Sequence, residues 1–133
     1  MKNKHKRVLA DTSVWIEFFR GNSLIGNNLE MLIITDSVEI CGVVLFELLQ
    51  GIKSDSEKLK INDILSNLPY VEVNKIIWQR SAEIAFNIKK KGFAVPFSDI
   101  LIAVLAIENN LSVFTLDKHF ELISELELYK IQK

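Results

Sequence analysis

The segment Val8-Leu9-Ala10-Asp11-Thr12-Ser13 is the clearest indication of the fold class of this 133-residue chain. Its apolar half, together with Arg7, predicts a short strand over residues 7–10. The three polar residues that follow are of the types preferred at the N-terminus of a helix. Residues 14–19 are then mostly apolar and end before Gly21. The chain is therefore expected to begin with a buried strand that leads directly into a buried helix.

The same succession of strand and helix recurs along the rest of the sequence. Further strands are predicted over residues 38–41, 70–73 and 112–116, with an edge strand over residues 128–131. Helices are predicted over residues 24–34, 43–50, 54–68, 75–91 and 98–109, and a last one after Asp117. Strands separated by helices indicate an α/β three-layer sandwich, with helices on both faces of a mostly parallel sheet. The working crevice of such a sheet lies beyond the carboxyl ends of its strands.

Length and composition predict one globular domain over residues 1–133, with residues 1–6 as a basic tail. Apolar residues make up 49% of the chain and charged residues 25%, which is typical of a folded protein in water. The only cysteine is Cys41, which cannot form a disulfide within the chain, and this fits a reducing cytosol. Because no apolar run approaches the roughly 20 residues of a membrane span, we expect a cytoplasmic protein.

The net charge of −1 restricts how this chain can hold a nucleic acid. Proteins that bind nucleic acid by neutralising phosphates are normally strongly basic. A polyanion would therefore have to be held at one local patch or through a bridging metal ion.

Four carboxylates occupy positions that suit a metal site. Asp11 and Asp117 end predicted strands, Asp99 opens an apolar helix, and Glu47 lies among apolar residues of another helix. Each also has a purely structural interpretation: the three aspartates are good helix caps, and Glu47 could point to solvent from a narrow polar stripe.

The four carboxylates together indicate a metal site more specifically than any one of them does. If the first and fourth strands are neighbours, these carboxylates meet at one crevice, where their mutual repulsion calls for cations. Oxygen ligands of this kind suit Mg²⁺ or Mn²⁺ and the hydrolysis of phosphodiester bonds.

The sequence resembles the PIN-domain nucleases, and in motif order, spacing and length the VapC toxins among them. The resemblance is carried by residues 8–16 (VLADTSVWI), 46–51 (FELLQG), 99–106 (DILIAVLA) and 115–120 (TLDKHF). It covers essentially the whole chain, and none of the four acidic positions departs from the pattern. It implies a five-stranded parallel sheet in the order 3-2-1-4-5 and a metal-dependent endoribonuclease that acts on RNA. It also implies a homodimer and an antitoxin partner, whose C-terminal segment occludes the acidic pocket.

The same resemblance assigns roles to residues of the site. Asp11 and Asp99 would bind the metal directly, while Glu47 and Asp117 would complete the site or orient the water. Ser13 and Thr115 match hydroxyl positions that line the sites of the family, although helix capping and strand propensity explain them equally well.

Other residues receive structural interpretations. Trp15, Trp78 and Phe86 occur at helical spacing and are expected in the core or in a dimer interface. The early helix, around Trp15 and Phe18, is predicted to offer an apolar groove to the antitoxin, and an Arg or Lys of that partner is predicted to enter the acidic pocket. His119 is expected at the surface without a catalytic role.

Two alternative functions fit the sequence less well. A phosphatase that uses Asp11 as nucleophile would need a second aspartate at the position of Ser13, and a phosphoacceptor domain would need an acid at Ala10. A catalytically inert interaction module on the same fold is the other alternative, because a fold does not fix a function.

Overall fold

In the computed structural model, residues 6–133 are described, so residues 1–5 of the predicted basic tail lie outside the described part. The elements, in chain order, are β1 (Val8–Ala10), α1 (Thr12–Arg20), α2 (Leu24–Ile34), β2 (Val38–Cys41), α3 (Gly42–Gln50), α4 (Asp55–Leu65), β3 (Tyr70–Val71), α5 (Lys75–Lys90), α6 (Phe97–Glu108), β4 (Ser112–Phe114) and a 3₁₀ helix (Lys118–Leu122). Each predicted element is present within a few residues of its expected bounds, except the edge strand.

The four strands form one parallel sheet in the order β3-β2-β1-β4, with helices on both sides. This confirms the predicted α/β three-layer architecture. In the register of the central pair, Ala10 lies opposite Phe114. The residues that follow β1 and β4 therefore emerge side by side at the carboxyl edge of the sheet.

The sequence prediction of five strands is wrong for the described residues, which form four. Its fifth strand is reduced to a single parallel bridge between Leu128 and Val113. The chain then leaves the sheet because its end is tied to α2: the side chain of Asn28 donates to the carbonyl of Gln132 (2.9 Å) and accepts from its backbone N–H (2.7 Å). The bridge lies on the free edge of β4, where the order 3-2-1-4-5 would put a fifth strand.

The core is centred on β1 and α6. All three residues of β1 are buried, as are all residues from Ile100 to Ala106 in α6. This helix contacts β1, β4 and α5, and it is apolar on nearly all sides because it has no exposed face along this stretch. Its first turn therefore has a fixed position relative to the ends of both central strands.

The aromatic residues divide between core and surface. Trp15 is fully buried in α1, whereas Trp78 and Phe86 of α5 are exposed. Trp78 stacks on Phe97 with 5.8 Å between the ring centroids and 14° between the ring planes. Across the described residues, no helix is both long and apolar enough to span a membrane.

Candidate metal centre at the carboxyl edge of the sheet

Asp11 joins β1 to α1 and is buried. It caps α1, because its Oδ1 accepts hydrogen bonds from the backbone N–H groups of Ser13 (3.0 Å) and Val14 (3.4 Å). The hydroxyl of Ser13 also donates to Oδ1, and the hydroxyl of Thr115, just beyond β4, donates to Oδ2. The two hydroxyl residues singled out in the sequence thus hold one oxygen each of the same carboxyl group.

Burial raises the pKa of Asp11 above its ordinary value, and the hydrogen bonds from Ser13 and Thr115 act against this rise. The ionised carboxylate is therefore disfavoured by its surroundings and favoured by its donors. A nearby cation would relieve the remaining cost, because opposite charge stabilises the ionised form.

Asp99 lies in the first turn of α6, with 16% of its side chain exposed. Among the described residues its carboxylate makes no capping bond to backbone, and its hydrogen-bond partner is Nδ1 of His119 at 3.2 Å. Burial is the main cause that raises its pKa; the bond to His119 opposes the rise, and the charges of Asp117 and Asp11 add to it. Capping therefore does not explain Asp99, and its electrostatics link it to both other aspartates.

Asp117 precedes the 3₁₀ helix and accepts a hydrogen bond from the backbone N–H of His119 (2.9 Å). Its own backbone N–H donates to the hydroxyl of Thr115 (2.9 Å), so Thr115 connects Asp117 to Asp11. Asp117 thus serves as a cap, as the structural interpretation proposed, and also stands beside the other two aspartates.

His119, which the sequence analysis expected at the surface without a catalytic role, lies next to two of these carboxylates. Its Nδ1 lies 2.9 Å from Oδ1 of Asp117 and 3.2 Å from Oδ2 of Asp99. One donor atom from each of these three residues lies within 4.8 Å of the others. The signal in the sequence was the position of His119 two residues after Asp117, where a capping carboxylate accepts from the backbone N–H of that residue.

The donor set fits a small divalent cation. Two carboxylates and an imidazole converge from α6 and the turn after β4, and the carboxylates repel one another. Ions such as Mg²⁺ and Mn²⁺ take oxygen ligands of this kind and keep several of their waters.

Glu47 stands apart from this cluster. It is half-buried on α3 and accepts a hydrogen bond from the hydroxyl of Thr12, the residue after Asp11. It does not belong to the group of donor atoms formed by Asp99, Asp117 and His119. The structure therefore brings Asp99 and Asp117 together with His119. Asp11 is connected to Asp117 through Thr115, and its charge acts on Asp99. Glu47 is connected to this region through its hydrogen bond with Thr12.

Glu47 opens instead onto a groove between α1, α3 and α4, with a volume of about 770 Å³. It is lined by both apolar and charged side chains, among them Ile16, Phe19, Leu48, Ile61, Arg20, Lys53 and Glu57. Ile16 is 46% exposed here, whereas Trp15 is fully buried. A groove does lie beside the predicted helix, but its lining mixes apolar and charged residues, and Ile16 and Phe19 line it in place of the predicted Trp15 and Phe18.

Comparisons with known proteins place the chain among relatives of one family. The PIN domain family matches residues 8–126. Ribonuclease VapC2 of Rickettsia felis is 30% identical over 107 residues, which cover 77% of this chain and 80% of the relative. Ribonuclease VapC11 of Mycobacterium tuberculosis is 27% identical over 124 residues, covering 90% and 92% of the two chains. A solved structure of DNA-bound VapBC from Salmonella typhimurium superposes with a TM-score of 0.81 at 21% identity, over 94% of this chain and 98% of that one.

Proposed function

The chain belongs to the PIN-domain family as a VapC-type ribonuclease, and we propose that it hydrolyses RNA phosphodiester bonds with bound Mg²⁺ or Mn²⁺. The observation that carries the proposal is the meeting of Asp99 and Asp117 beside Asp11 at the carboxyl edge of the sheet. The proposal is tested by RNA cleavage with and without divalent cations, in wild type and in a variant that lacks one aspartate.

In this proposal Asp11, Asp99 and Asp117 hold the cation, and Ser13 and Thr115 keep the carboxyl group of Asp11 in place. Glu47 accepts a hydrogen bond from Thr12 and lines the groove. In this proposal it completes the site from the groove side and orients the attacking water. A divalent cation supplies polarisation of the phosphoryl oxygen and charge neutralisation at the leaving oxygen. It also explains how an acidic cluster on a chain of net charge −1 receives a polyanion.

The substrate is expected to be a single-stranded segment or loop of RNA. Unpaired bases can be splayed out and the scissile phosphate can reach a recessed site, whereas a duplex holds both in place. Lys53 and Arg20 line the groove together with Glu47, and we assign contacts with the flanking phosphates to them.

We further propose an antitoxin partner that occupies the groove and the acidic cluster together. The Salmonella typhimurium relative was solved as VapBC bound to DNA, and a Klebsiella pneumoniae relative as a toxin–antitoxin complex. An Arg or Lys of such a partner would meet the aspartates, while its apolar residues would pack on Ile16 and Phe19. Occlusion of the cluster would prevent RNA from reaching it.

A homodimer, the other predicted assembly, has a suitable surface on α5 and α6. Trp78 and Phe97 are 49% and 64% exposed at the rim of an apolar cavity of about 390 Å³. Large exposed apolar surfaces of this kind usually mark interfaces. We propose the cytoplasm as the location and one domain as the organisation of the chain, in agreement with its single buried thiol, Cys41.

A further inference from the structure

His119 presents a single nitrogen to both carboxylates of the cluster. Nδ1 lies 2.9 Å from Oδ1 of Asp117 and 3.2 Å from Oδ2 of Asp99. The backbone N–H of His119 also donates to Asp117, which keeps the histidine next to that carboxylate. The ring is 42% exposed, so the side of the cluster away from the core is accessible to solvent and ions.

These separations match the edges of a coordination polyhedron. Around an ion with ligands at about 2.1 Å, neighbouring ligands of an octahedron lie about 3.0 Å apart. The two distances from Nδ1 bracket this value. Both separations from Nδ1 are therefore compatible with a cation that is shared between the imidazole and either carboxylate.

We propose that His119 binds the catalytic cation through Nδ1, and that this nitrogen makes the site prefer Mn²⁺ over Mg²⁺. The inference rests on the proposed function and goes beyond it, because it names a ligand outside the four acidic positions and ranks the two ions. Imidazole nitrogen suits first-row transition ions, and affinity for nitrogen-containing sites increases along that row. Magnesium is bound through oxygen and gives up its waters reluctantly, so it gains little from an imidazole.

The competing interpretation is that His119 only ties the two carboxylates together. In that case its removal would loosen Asp99 and Asp117 and would weaken the binding of Mn²⁺ and Mg²⁺ by the same factor. Direct ligation by His119 instead predicts that the loss of affinity is larger for Mn²⁺ than for Mg²⁺.

The test uses Mn²⁺ as an electron-spin probe on the full-length protein. Pulsed electron paramagnetic resonance detects a ¹⁴N nucleus that is bound directly to Mn²⁺. Wild type is expected to show this ¹⁴N coupling, and protein grown with ¹⁵N-histidine should show the ¹⁵N pattern instead. The labelled sample requires no mutation, so its result does not depend on whether a variant folds.

Two variants show which histidine binds Mn²⁺, since the sequence has only His119 and His5. His5→Gln is expected to keep the coupling and His119→Gln to lose it. In calorimetric titrations, His119→Gln should weaken Mn²⁺ binding by about tenfold or more and Mg²⁺ binding by less than about threefold.

Manganese that binds without histidine coupling, or equal losses for both ions in His119→Gln, would overturn the proposed ligand and leave the ribonuclease assignment intact. A wild-type protein that binds neither ion would overturn the proposed function together with this inference. The two failures are therefore distinct in the same set of measurements.

Discussion

The hydroxyl of Thr115 donates a hydrogen bond to Oδ2 of Asp11, across the carboxyl ends of two neighbouring parallel strands. The same hydroxyl accepts from the backbone N–H of Asp117 (2.9 Å). Thr115 therefore fixes the distance between two acidic residues that are more than a hundred positions apart in the sequence. Such a link is needed because burial makes the carboxylate of Asp11 costly.

Replacement of Thr115 by valine should destabilise the metal-free protein by about 1–3 kcal/mol at neutral pH. The lost hydrogen bond is one of those that lower the pKa of Asp11, so that pKa should rise further above its ordinary value. A raised pKa in the folded state means stability that is present at low pH and lost as pH rises through that pKa. The deficit of Thr115→Val should therefore grow with pH, as measured by urea unfolding in chelator.

Thr115→Ser is the matched control, because it keeps the hydroxyl and removes only a methyl group. It should stay close to wild type at every pH. A deficit of Thr115→Val that is the same at pH 4 and pH 8 would show that packing, and not the bond to Asp11, is responsible.

Asp99→Asn should leave metal-free stability unchanged or raise it by up to about 1 kcal/mol at neutral pH. Asp99 caps nothing, and burial together with the charges of Asp117 and Asp11 raises its pKa. The ionised form thus costs stability above that pKa, and asparagine removes this cost. The gain should disappear in acid, where the wild-type carboxyl is protonated.

The same two proteins are also compared in the presence of Mg²⁺. An ion at a hundred times its Kd stabilises the native state by about 2.7 kcal/mol, and Asp99→Asn should lose most of that gain. Thermal unfolding with and without Mg²⁺ measures both effects. A variant that is less stable than wild type in chelator, yet responds fully to Mg²⁺, would contradict the role of Asp99.

The fold was predictable because its signals are local. Short apolar strands and capped helices follow one another along the chain, and parallel strands joined by helices leave few topologies. The fifth strand was not predictable, since the bonds between Asn28 and Gln132 that draw the chain end away from the sheet join distant residues. A strand pattern in the sequence carries no information about that competing contact.

The site was predictable at its aspartates and less so around them. Strand ends and the start of α6 place Asp11, Asp99 and Asp117 at one edge, so their convergence follows from the topology. The bonding of Glu47 to Thr12, and the position of His119 between two carboxylates, depend on side-chain geometry that spacing alone does not determine. Trp15 was predicted at the groove because a helical wheel does not distinguish the groove from the core next to it.

Glu47→Gln should lower RNA cleavage at least about tenfold while it changes Mg²⁺ affinity far less than Asp99→Asn does. The reason is that Glu47 lies outside the group formed by Asp99, Asp117 and His119 and, unlike Asp11, is not among the charges that raise the pKa of Asp99. Glu57→Gln is the matched control, since Glu57 lines the same groove and is exposed. Cleavage rates and calorimetric titrations would check this, and a loss of Mg²⁺ affinity as large as that of Asp99→Asn would instead make Glu47 a metal ligand.

Ile16→Arg should release the ribonuclease from inhibition by its antitoxin. Ile16 lines the groove and is partly exposed, so a charged side chain there would weaken an apolar partner helix without entering the acidic cluster. The measurement is RNA cleavage in the presence of a purified VapB-type antitoxin that inhibits the wild type. Met31→Arg, an exposed change on α2 outside the groove, should stay inhibited. Equal inhibition of both variants would place the partner elsewhere.

The dependence of this ribonuclease on a divalent cation is measured by cleavage of a single-stranded RNA as a function of Mg²⁺ or Mn²⁺ concentration. We predict no cleavage in excess chelator, recovery when either ion is added, and loss of most cleavage in Asp99→Asn at every ion concentration. Purified protein that cuts RNA equally well in chelator, or an Asp99→Asn variant that cleaves at the wild-type rate, would contradict a metal-dependent site built on these aspartates. A folded wild type that binds the ion but cuts no RNA would instead support an inert interaction module on the same fold.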